Sequence, residues 1–272
     1  MPRGIITRMA GRVRPAIFSF VGLVGSTLVA APPALGPSPA GAVVFRHDRS
    51  DSAAIALGAP FAAVGRLVPD GSGTLIAPTW VATAAHVAAR VRAGSTIAFG
   101  ESTATVKRVV IHPEGTSKPG VPPEVDLALV ELDAPVVGIE PVALYRGRDE
   151  LGKTLTIVGS GDFGNPRAPL ARADGRRRAV TNVVSDAGPR RFFLRFDAPP
   201  AGTASEGVGG PGDSGGPALW EHDGKIFLVG VSSASMDGKP GQYGVTDVYT
   251  RVGSYVRWID ETMMGSREKK SP

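Results

Sequence analysis

Short apolar or alternating runs, separated by clusters of Gly, Pro and Asp, make up most of this chain. The clearest runs are Phe61–Leu67, Gly73–Ile76, Thr103–Ile111, Leu127–Leu132, Thr154–Val158, Phe192–Phe196 and Phe227–Val231. Many short strands with turn signals between them are typical of an all-β sandwich or barrel. Near the end, four apolar residues recur at helical spacing and predict one amphipathic helix over about 252–264, namely Tyr255, Val256, Ile259 and Met263. A charged tail, 265–272, follows it.

The first 42 residues have a different pattern. Four arginines precede an apolar run over Ala16–Ala31, and the small residues Ala40-Gly41-Ala42 come after it. A basic start, a short apolar core and a small-x-small site predict a signal peptide over 1–42, and therefore a secreted or periplasmic protein. Cleavage near Ala31 or Ala34 is an alternative. An uncleaved membrane anchor is another, although the run is shorter than the roughly 20 residues that span a bilayer.

Charge and cysteine content narrow the class of protein. The whole chain has 30 Lys and Arg against 25 Asp and Glu, but 1–42 carries four of these arginines and no acid, which leaves 26 against 25. Arginines do cluster at positions 167, 172, 176, 177, 178, 190, 191 and 195. We interpret that cluster as a solvated loop and expect no nucleic-acid partner, because such a surface needs more net charge and interleaved aromatic residues. The chain has no cysteine, so stability must come from core burial and not from disulfides.

The candidate chemistry centres on a serine in a glycine-rich turn. Residues 211–219 read Pro-Gly-Asp-Ser-Gly-Gly-Pro-Ala-Leu, and glycines permit both the sharp turn and the close approach of a substrate. Ser214 is a candidate nucleophile if a base and an orienting acid exist elsewhere. His86, after Thr-Ala-Ala, and Asp126, at the head of an alternating run, supply these two groups. His112 and His222 lack such surroundings and are weaker candidates for the base.

The chain order His86, Asp126, Ser214 resembles that of the chymotrypsin/trypsin family of serine proteases. The resemblance runs from about Ala63 to Met264 and includes residues 73–81 and 248–252. The Gly-x-Ser-x-Gly string also fits the nucleophile turn of α/β-hydrolases, but that fold places its acid and then its histidine after the serine. The histidine that follows Ser214 is His222, eight residues on and without a strand–helix–strand repeat between them. The α/β-hydrolase interpretation therefore fails on order.

The resemblance implies an all-β fold of two packed six-stranded antiparallel β-barrels with a C-terminal helix. The protease domain would cover 43–264, with barrel one over about 43–140, barrel two over about 150–250 and the active site in the cleft between them. The lack of cysteine indicates a bacterial-type member. The implied activity is that of a serine endopeptidase, acting on protein or peptide substrates through an acyl-enzyme intermediate.

The same resemblance assigns the backbone N–H groups of Gly212 and Ser214 to an oxyanion hole. The sequence shows neither a metal-ligand cluster nor a phosphate-binding glycine loop, so we expect no metal or other cofactor. We expect a monomer without stable membrane association after signal cleavage. The alternative function is a catalytically silent binding or regulatory module on the same fold.

Two questions stay open at this point. The family sets the base of the primary substrate pocket six residues before the nucleophile, which is Val208 here, whereas Asp247 matches a second position that faces the pocket floor. Either could determine specificity, and Ser232 begins the edge segment that resembles the family's substrate-pairing strand.

Family members also pair the acid before the nucleophile, here Asp213, with a newly released N-terminal ammonium. Val43-Val44 is the nearest match to the family's terminus, but Phe45-Arg46 replaces its two glycines.

Overall fold

The computed structural model describes residues 43–68, 71–115 and 125–268. The strands are β1 (Val44–Phe45), β2 (Val64–Leu67), β3 (Ser72–Ala77), β4 (Trp80–Thr83), β5 (Thr96–Phe99), β6 (Ser102–Ile111), β7 (Ala128–Leu132), β8 (Ala143–Leu144), β9 (Thr154–Gly159), β10 (Arg178–Ala187), β11 (Arg191–Arg195), β12 (Gly207–Val208), β13 (Pro217–His222), β14 (Lys225–Met236) and β15 (Thr246–Arg251). The helices are α1 (Asp51–Gly58), α2 (Ala85–Ala88), a 3-10 turn (Val252–Ser254) and α3 (Val256–Glu268).

Barrel one closes in the strand order β2-β3-β4-β7-β6-β5, and antiparallel pairing of β2 with β5 completes the ring. Alternating apolar side chains fill its interior, and Leu67, Leu75 and Ile97 have no exposed surface. Every residue of β7 is buried, including Glu131, which accepts hydrogen bonds from Lys107 at 2.9 Å and Arg108 at 2.5 Å. A buried charge of this kind needs such partners.

Barrel two has the order β13-β9-β10-β11-β15-β14, and the pairing of β13 with β14 closes it. The short β8 also pairs with β14, in parallel orientation. Its core includes Leu155, Phe192 and Tyr249, and the last two rings stack 5.4 Å apart. The expected fold of two six-stranded antiparallel barrels is therefore confirmed.

The boundary of barrel one differs from the prediction. We expected barrel one to begin at about residue 43, but β1 pairs with β12, where Val44 opposes Val208. Helix α1, which the sequence analysis did not predict, packs on β10 of barrel two. Residues 43–58 thus belong mainly with barrel two, because Val43, Phe45 and Ala54 lie in its core.

The interpretation of the arginine cluster as a solvated loop is wrong for Arg178. Its side chain has no exposed surface and forms ion pairs with Asp51 of α1 and with Asp174. Its guanidinium also lies 3.4 Å from the ring centre of Phe163. Charge clustering in the sequence could not reveal this burial, because the partners lie on separate elements.

The C-terminal helix is present but shifted. We predicted about 252–264, whereas a 3-10 turn occupies Val252–Ser254 and α3 runs over Val256–Glu268. Tyr255 and Ile259 are buried in an apolar cluster to which both barrels contribute residues. Among the described ranges, none of the helices combines the length and apolar character needed to cross a membrane. The predicted signal peptide, 1–42, lies outside these ranges.

Candidate active site

The structure brings His86 and Asp126 into direct contact. Strand β4 ends at Thr83, an extended Ala84 follows, and His86 lies on the short helix α2 with a side chain that is 29% exposed. Its Nδ1 lies 2.7 Å from Asp126 Oδ2, and its backbone N–H donates to Asp126 Oδ1 at 3.0 Å. An ionised carboxylate only accepts hydrogen bonds, so Nδ1 carries the proton and Nε2 is left with a free lone pair.

Asp126 is itself held by both barrels. It is buried just ahead of β7 of barrel one, and Ser233 Oγ of β14 donates to its Oδ2 at 2.7 Å. Thr250 Oγ1 of β15 donates to its backbone carbonyl at 2.9 Å. Neither residue was predicted from the sequence, although Ser233 follows Ser232 in the edge segment and Thr250 lies within 248–252. These bonds fix the carboxylate, and through it the imidazole ring.

The Ser214 turn is clamped between the barrels. The Ser214 carbonyl accepts from Ser72 N at 2.8 Å, and the N–H of Gly215 donates to Ser232 O at 2.8 Å. Gly215 has φ +81°, and a Cβ there would lie 2.2 Å from Thr83 Oγ1 and 3.0 Å from Ala84 N. Glycine at 215 is therefore required by both its conformation and its close approach. This approach sets Ser214 against the segment that leads into His86.

The backbone around Ser214 leaves two donors free. Among the residues that the structure describes, neither the N–H of Gly212 nor that of Ser214 donates to a backbone carbonyl. Gly212 has φ +90°, a value that favours glycine. An unpaired N–H costs free energy unless water or a ligand accepts from it. This turn can therefore receive an oxygen that carries negative charge.

A cavity of about 230 Å³ opens beside Ser214. It is lined by Gly209, Gly210, Pro211, Ser214, Ser232, Ala234, Ser235, Pro240 and Asp247. Asp247 Oδ2 accepts from Gly209 N at 2.7 Å, and its Oδ1 accepts from Ser235 Oγ at 2.7 Å. Burial raises the pKa of Asp247 to about 6, against the opposing effect of these two donors. Of the candidate pocket residues, Asp247 and Ser232 thus lie at the cavity.

Val208 lies elsewhere. It has no exposed surface and packs with Val44, Phe196 and Val245. It is not among the described residues that line the cavity beside Ser214. The pairing of β1 with β12 covers it, so its side chain contributes to the core and not to the cavity.

Asp213 is buried next to the serine. Gly210 N donates to its Oδ2 at 3.0 Å, while Oδ1 is buried and accepts no hydrogen bond within the described ranges. Burial raises the pKa of Asp213 well above its ordinary value, and the negative charge of Asp247 adds to this effect. The backbone N–H groups of Gly210, Gly161 and Ser160 act in the opposite direction and lower this pKa, but none of the described groups lies within hydrogen-bond geometry of Oδ1.

The two weaker histidine candidates lie away from this site. His112 packs edge-on against Tyr255 and Trp258, and burial lowers the pKa of its ring. His222 stacks on Trp220 at a centroid distance of 4.5 Å. The structure brings neither ring to Asp126.

Comparison with known proteins identifies the family. Residues 61–259 match the family described as Trypsin. The chain belongs to the trypsin family. It is 32% identical to Trypsin 5G1 of Aedes aegypti over 205 residues, covering 70% of this chain and 73% of that one. It is 33% identical to an uncharacterized peptidase of Corynebacterium glutamicum over 197 residues, covering 69% of this chain and 62% of that longer protein.

A solved structure supports the fold of this trypsin-family chain. Neuropsin, a serine protease expressed in the limbic system of mouse brain, superposes with a TM-score of 0.61 at 20% identity, covering 81% of this chain and 99% of that one. The trypsin-family chain is a serine-type peptidase, as the sequence predicted. The bacterial-type assignment stays a prediction.

Proposed function

We propose that this chain is a secreted or periplasmic serine endopeptidase whose triad is His86, Asp126 and Ser214. The observation that carries the proposal is the pair of hydrogen bonds from His86 to Asp126, at 2.7 Å from Nδ1 and at 3.0 Å from the backbone N–H, next to the Ser214 turn that both barrels hold. Buried hydrogen bonds from barrel two hold the carboxylate, and such an arrangement suits a base that must keep one tautomer.

The proposed reaction is acyl transfer. Ser214 Oγ attacks the carbonyl carbon of the peptide bond while His86 Nε2 takes the hydroxyl proton. The tetrahedral intermediate collapses, the C–N bond breaks, and His86 gives the proton to the leaving amine. Water then attacks the acyl-enzyme by the same route, which releases the acid and restores the serine. Asp126 stabilises the imidazolium that forms in each half.

The free N–H groups of Gly212 and Ser214 would stabilise the negatively charged oxygen of the intermediate. Loss of one such donor typically lowers kcat by about 10²–10³. We expect Ser214→Ala and His86→Ala each to remove roughly 10⁶ of kcat, with effects that do not add, because the groups act as a unit.

We also propose that processing after Ala42 releases Val43 as the mature N-terminus, and that its ammonium pairs with Asp213. Three observations support this: Val43 is fully buried, Val44 is held opposite Val208, and Asp213 Oδ1 is buried without a hydrogen bond to any residue that the structure describes. An unpaired buried charge is costly, and an ammonium would relieve that cost.

The test uses the full chain, exported by its own leader and purified from the extracellular or periplasmic fraction. Mass spectrometry of the N-terminus should give Val43, and a fluorophosphonate probe should label the protein on Ser214. The control is Ser214→Ala, which should fold and carry no label. Correctly processed, folded protein that neither takes up the probe nor cleaves casein would favour the silent binding module instead.

A further inference from the structure

Two arginines lie near each other at the junction of the barrels without an acidic partner. Arg66 is on β2 of barrel one, and its Nε is buried without a hydrogen bond to any residue that the structure describes. Arg177, just before β10 of barrel two, donates from Nε to the Val64 carbonyl at 3.3 Å. Neither guanidinium forms an ion pair within the described ranges. This junction therefore contains two positive charges that no described side chain neutralises.

The register of the sheet places the two arginines together. Arg66 opposes Ala98 of β5, and continuing this antiparallel pairing by two residues places Gly100 beside Val64. Arg177 Nη2 lies 3.9 Å from the point where a Cβ on Gly100 would stand. Residues two apart on a strand share one face and are separated by about 7 Å. Arg177 therefore covers the position next to Arg66.

A threonine hydroxyl lies on the same face of barrel one. Thr74 of β3 opposes Val64, while Arg66 opposes Ser72. Thr74 is thus the diagonal neighbour of Arg66, at the roughly 7–8 Å that long side chains can bridge. Its Oγ1 is buried and, like Arg66 Nε, has no hydrogen-bond partner among the described residues. Two buried polar atoms on one face thus both lack a partner.

The acids that lie near these residues in the sequence do not supply the missing negative charge. Asp174 pairs with Arg178. Glu101 is exposed and forms no ion pair in the described part of the chain. Burial lowers the pKa of Arg177, and no described carboxylate opposes this effect. A desolvated cation is costly unless it is paired, so the junction would be stabilised by an anion.

We propose that Arg66, Arg177 and Thr74 bind a small tetrahedral oxyanion, sulfate or phosphate, at the junction of the two barrels. A guanidinium presents its N–H donors in a planar fork that matches two oxygens of such an ion, and a hydroxyl can donate to a third. The free ion suits the site better than an ester, because Arg66 Nε and Thr74 Oγ1 are both buried. The described lining of the cavity beside Ser214 includes none of these residues, so this site is separate from the candidate active site.

Strand β3 connects this site to the Ser214 turn. Ser72, which opposes Arg66, donates from its backbone N–H to the Ser214 carbonyl at 2.8 Å and from Oγ to the Gly212 carbonyl at 3.3 Å. An anion that bridges Arg66 and Arg177 would hold β2 of barrel one to the segment before β10 of barrel two. We therefore expect the bound ion to stabilise the folded protein.

The experiment titrates sodium sulfate, sodium phosphate or methyl phosphate into the full chain carrying Ser214→Ala, with sodium chloride keeping the ionic strength constant. The alanine prevents the self-cleavage that the proposed function implies, and catalytic activity does not enter the measurement. Heteronuclear NMR of the arginine Nε–H groups observes Arg66 and Arg177 directly. We expect both signals to shift and to saturate with one common dissociation constant for sulfate.

Three substitutions test the residues of the site. Arg66→Gln and Arg177→Gln should each weaken sulfate binding by about tenfold or more, because each removes one partner of a charge-assisted contact. Thr74→Val, which has nearly the same shape, should weaken it by about threefold. The matched control is Arg176→Gln, an exposed arginine next to Arg177, which should leave the dissociation constant unchanged.

Thermal unfolding gives an independent measurement. Sulfate stabilises folded proteins in general because it is excluded from their surface, so the relevant quantity is the sulfate-induced rise in Tm compared between proteins. That rise should be larger in the Arg176→Gln control than in Arg66→Gln or Arg177→Gln. An equal rise in all three variants would overturn the proposal.

The NMR titration of the site with its three residues intact does not depend on whether the variants fold. Arg66 and Arg177 signals that do not respond to sulfate or phosphate would overturn the proposal, as would an equal loss of affinity in Arg176→Gln. Tighter binding of the inorganic ions than of methyl phosphate supports the free ion as the ligand. The reverse order would overturn that choice and assign the site to a phosphate ester.

Discussion

Replacement of Arg178 by methionine tests how barrel two is held to α1 and to the loop that contains Asp174. The side chain of Arg178 has no exposed surface and forms paired hydrogen bonds with both acids: 2.5 and 3.0 Å to Asp51, and 2.8 and 2.9 Å to Asp174. Its guanidinium also lies over the Phe163 ring. Arg178→Met keeps most of the apolar stem but leaves two carboxylates without their shared cation.

The expected loss in the free energy of unfolding depends on how exposed the two carboxylates are to water. Removing one partner of a buried ion pair typically costs about 3–5 kcal/mol. The carboxylates are 38% and 35% exposed, for Asp51 and Asp174, so water compensates them in part. We therefore expect a loss of about 3 kcal/mol in the free energy of unfolding. For a domain of this size that corresponds to a Tm lower by about 6–12 °C.

The pH dependence gives a second signature. Hydrogen bonding from Arg178 lowers the pKa of Asp174 to about 2. A carboxyl group with a lowered pKa adds stability above its unfolded value of about 4, and this stability is lost as the pH falls toward 2. Without Arg178 the contribution disappears, so the variant should lose less stability than wild type between pH 4 and pH 2.

Urea unfolding at pH 7 and pH 2.5 measures both effects, with Ser214 replaced by alanine in every protein because the proposed function implies self-cleavage. The matched control is Arg176→Met, an exposed arginine two residues away, which should stay within about 0.5 kcal/mol of wild type. A change below 1 kcal/mol for Arg178→Met, or an equal loss in both variants, would refute the argument from burial.

Three other changes test the site and its supports. Ser233→Ala removes the 2.7 Å bond to Asp126 and should lower kcat by on the order of tenfold with little change in KM, as measured by steady-state hydrolysis; an unchanged kcat would contradict a positioning role. Glu150→Gln, beneath the buried guanidinium of Arg251, should cost about 3 kcal/mol in urea unfolding, and a neutral result would count against that pair. Gly215→Ala places a methyl 2.2 Å from a threonine hydroxyl of barrel one and should abolish fluorophosphonate labelling; full labelling would show that the turn can move.

The three candidate residues of the proposed triad were predicted from local motifs in the sequence. Ser214 and His86 each lie in a short string of small residues, Gly215 is needed where the two barrels approach each other, and Asp126 lies just before the fully buried β7. Such requirements act within a few residues, so the sequence carries them directly. The alternation of apolar residues similarly predicted an all-β sandwich or barrel, since each strand must bury one face, whereas the two six-stranded barrels were implied by the resemblance to the family.

The supporting groups were not predictable, because they depend on pairing between distant segments. Ser233 reaches Asp126 because the register of β14 against β15 shifts between Ser232 and Ala234, and a bulge of this kind redirects side chains. Val208 is covered because β1 pairs with β12 across more than 160 positions of the chain. Neither the register shift nor the pairing of β1 with β12 leaves a pattern that can be recognised in the local sequence.

The segment after Val43 departs from the family's pattern at two positions, and side-chain contacts hold it in place. Phe45 and Arg46 stand where the family has two glycines. Phe45 is buried in the core of barrel two, and Arg46 donates to the Thr203 carbonyl at 2.8 Å and to Asp48 at 2.5 Å. These side chains anchor the segment that glycines would leave free. In the proposed mature enzyme, the anchored segment fixes where the Val43 ammonium lies. Because the adjacent amides of Gly209 and Gly210 donate to Asp247 and Asp213 respectively, that ammonium would also act on the backbone that lines the cavity beside Ser214.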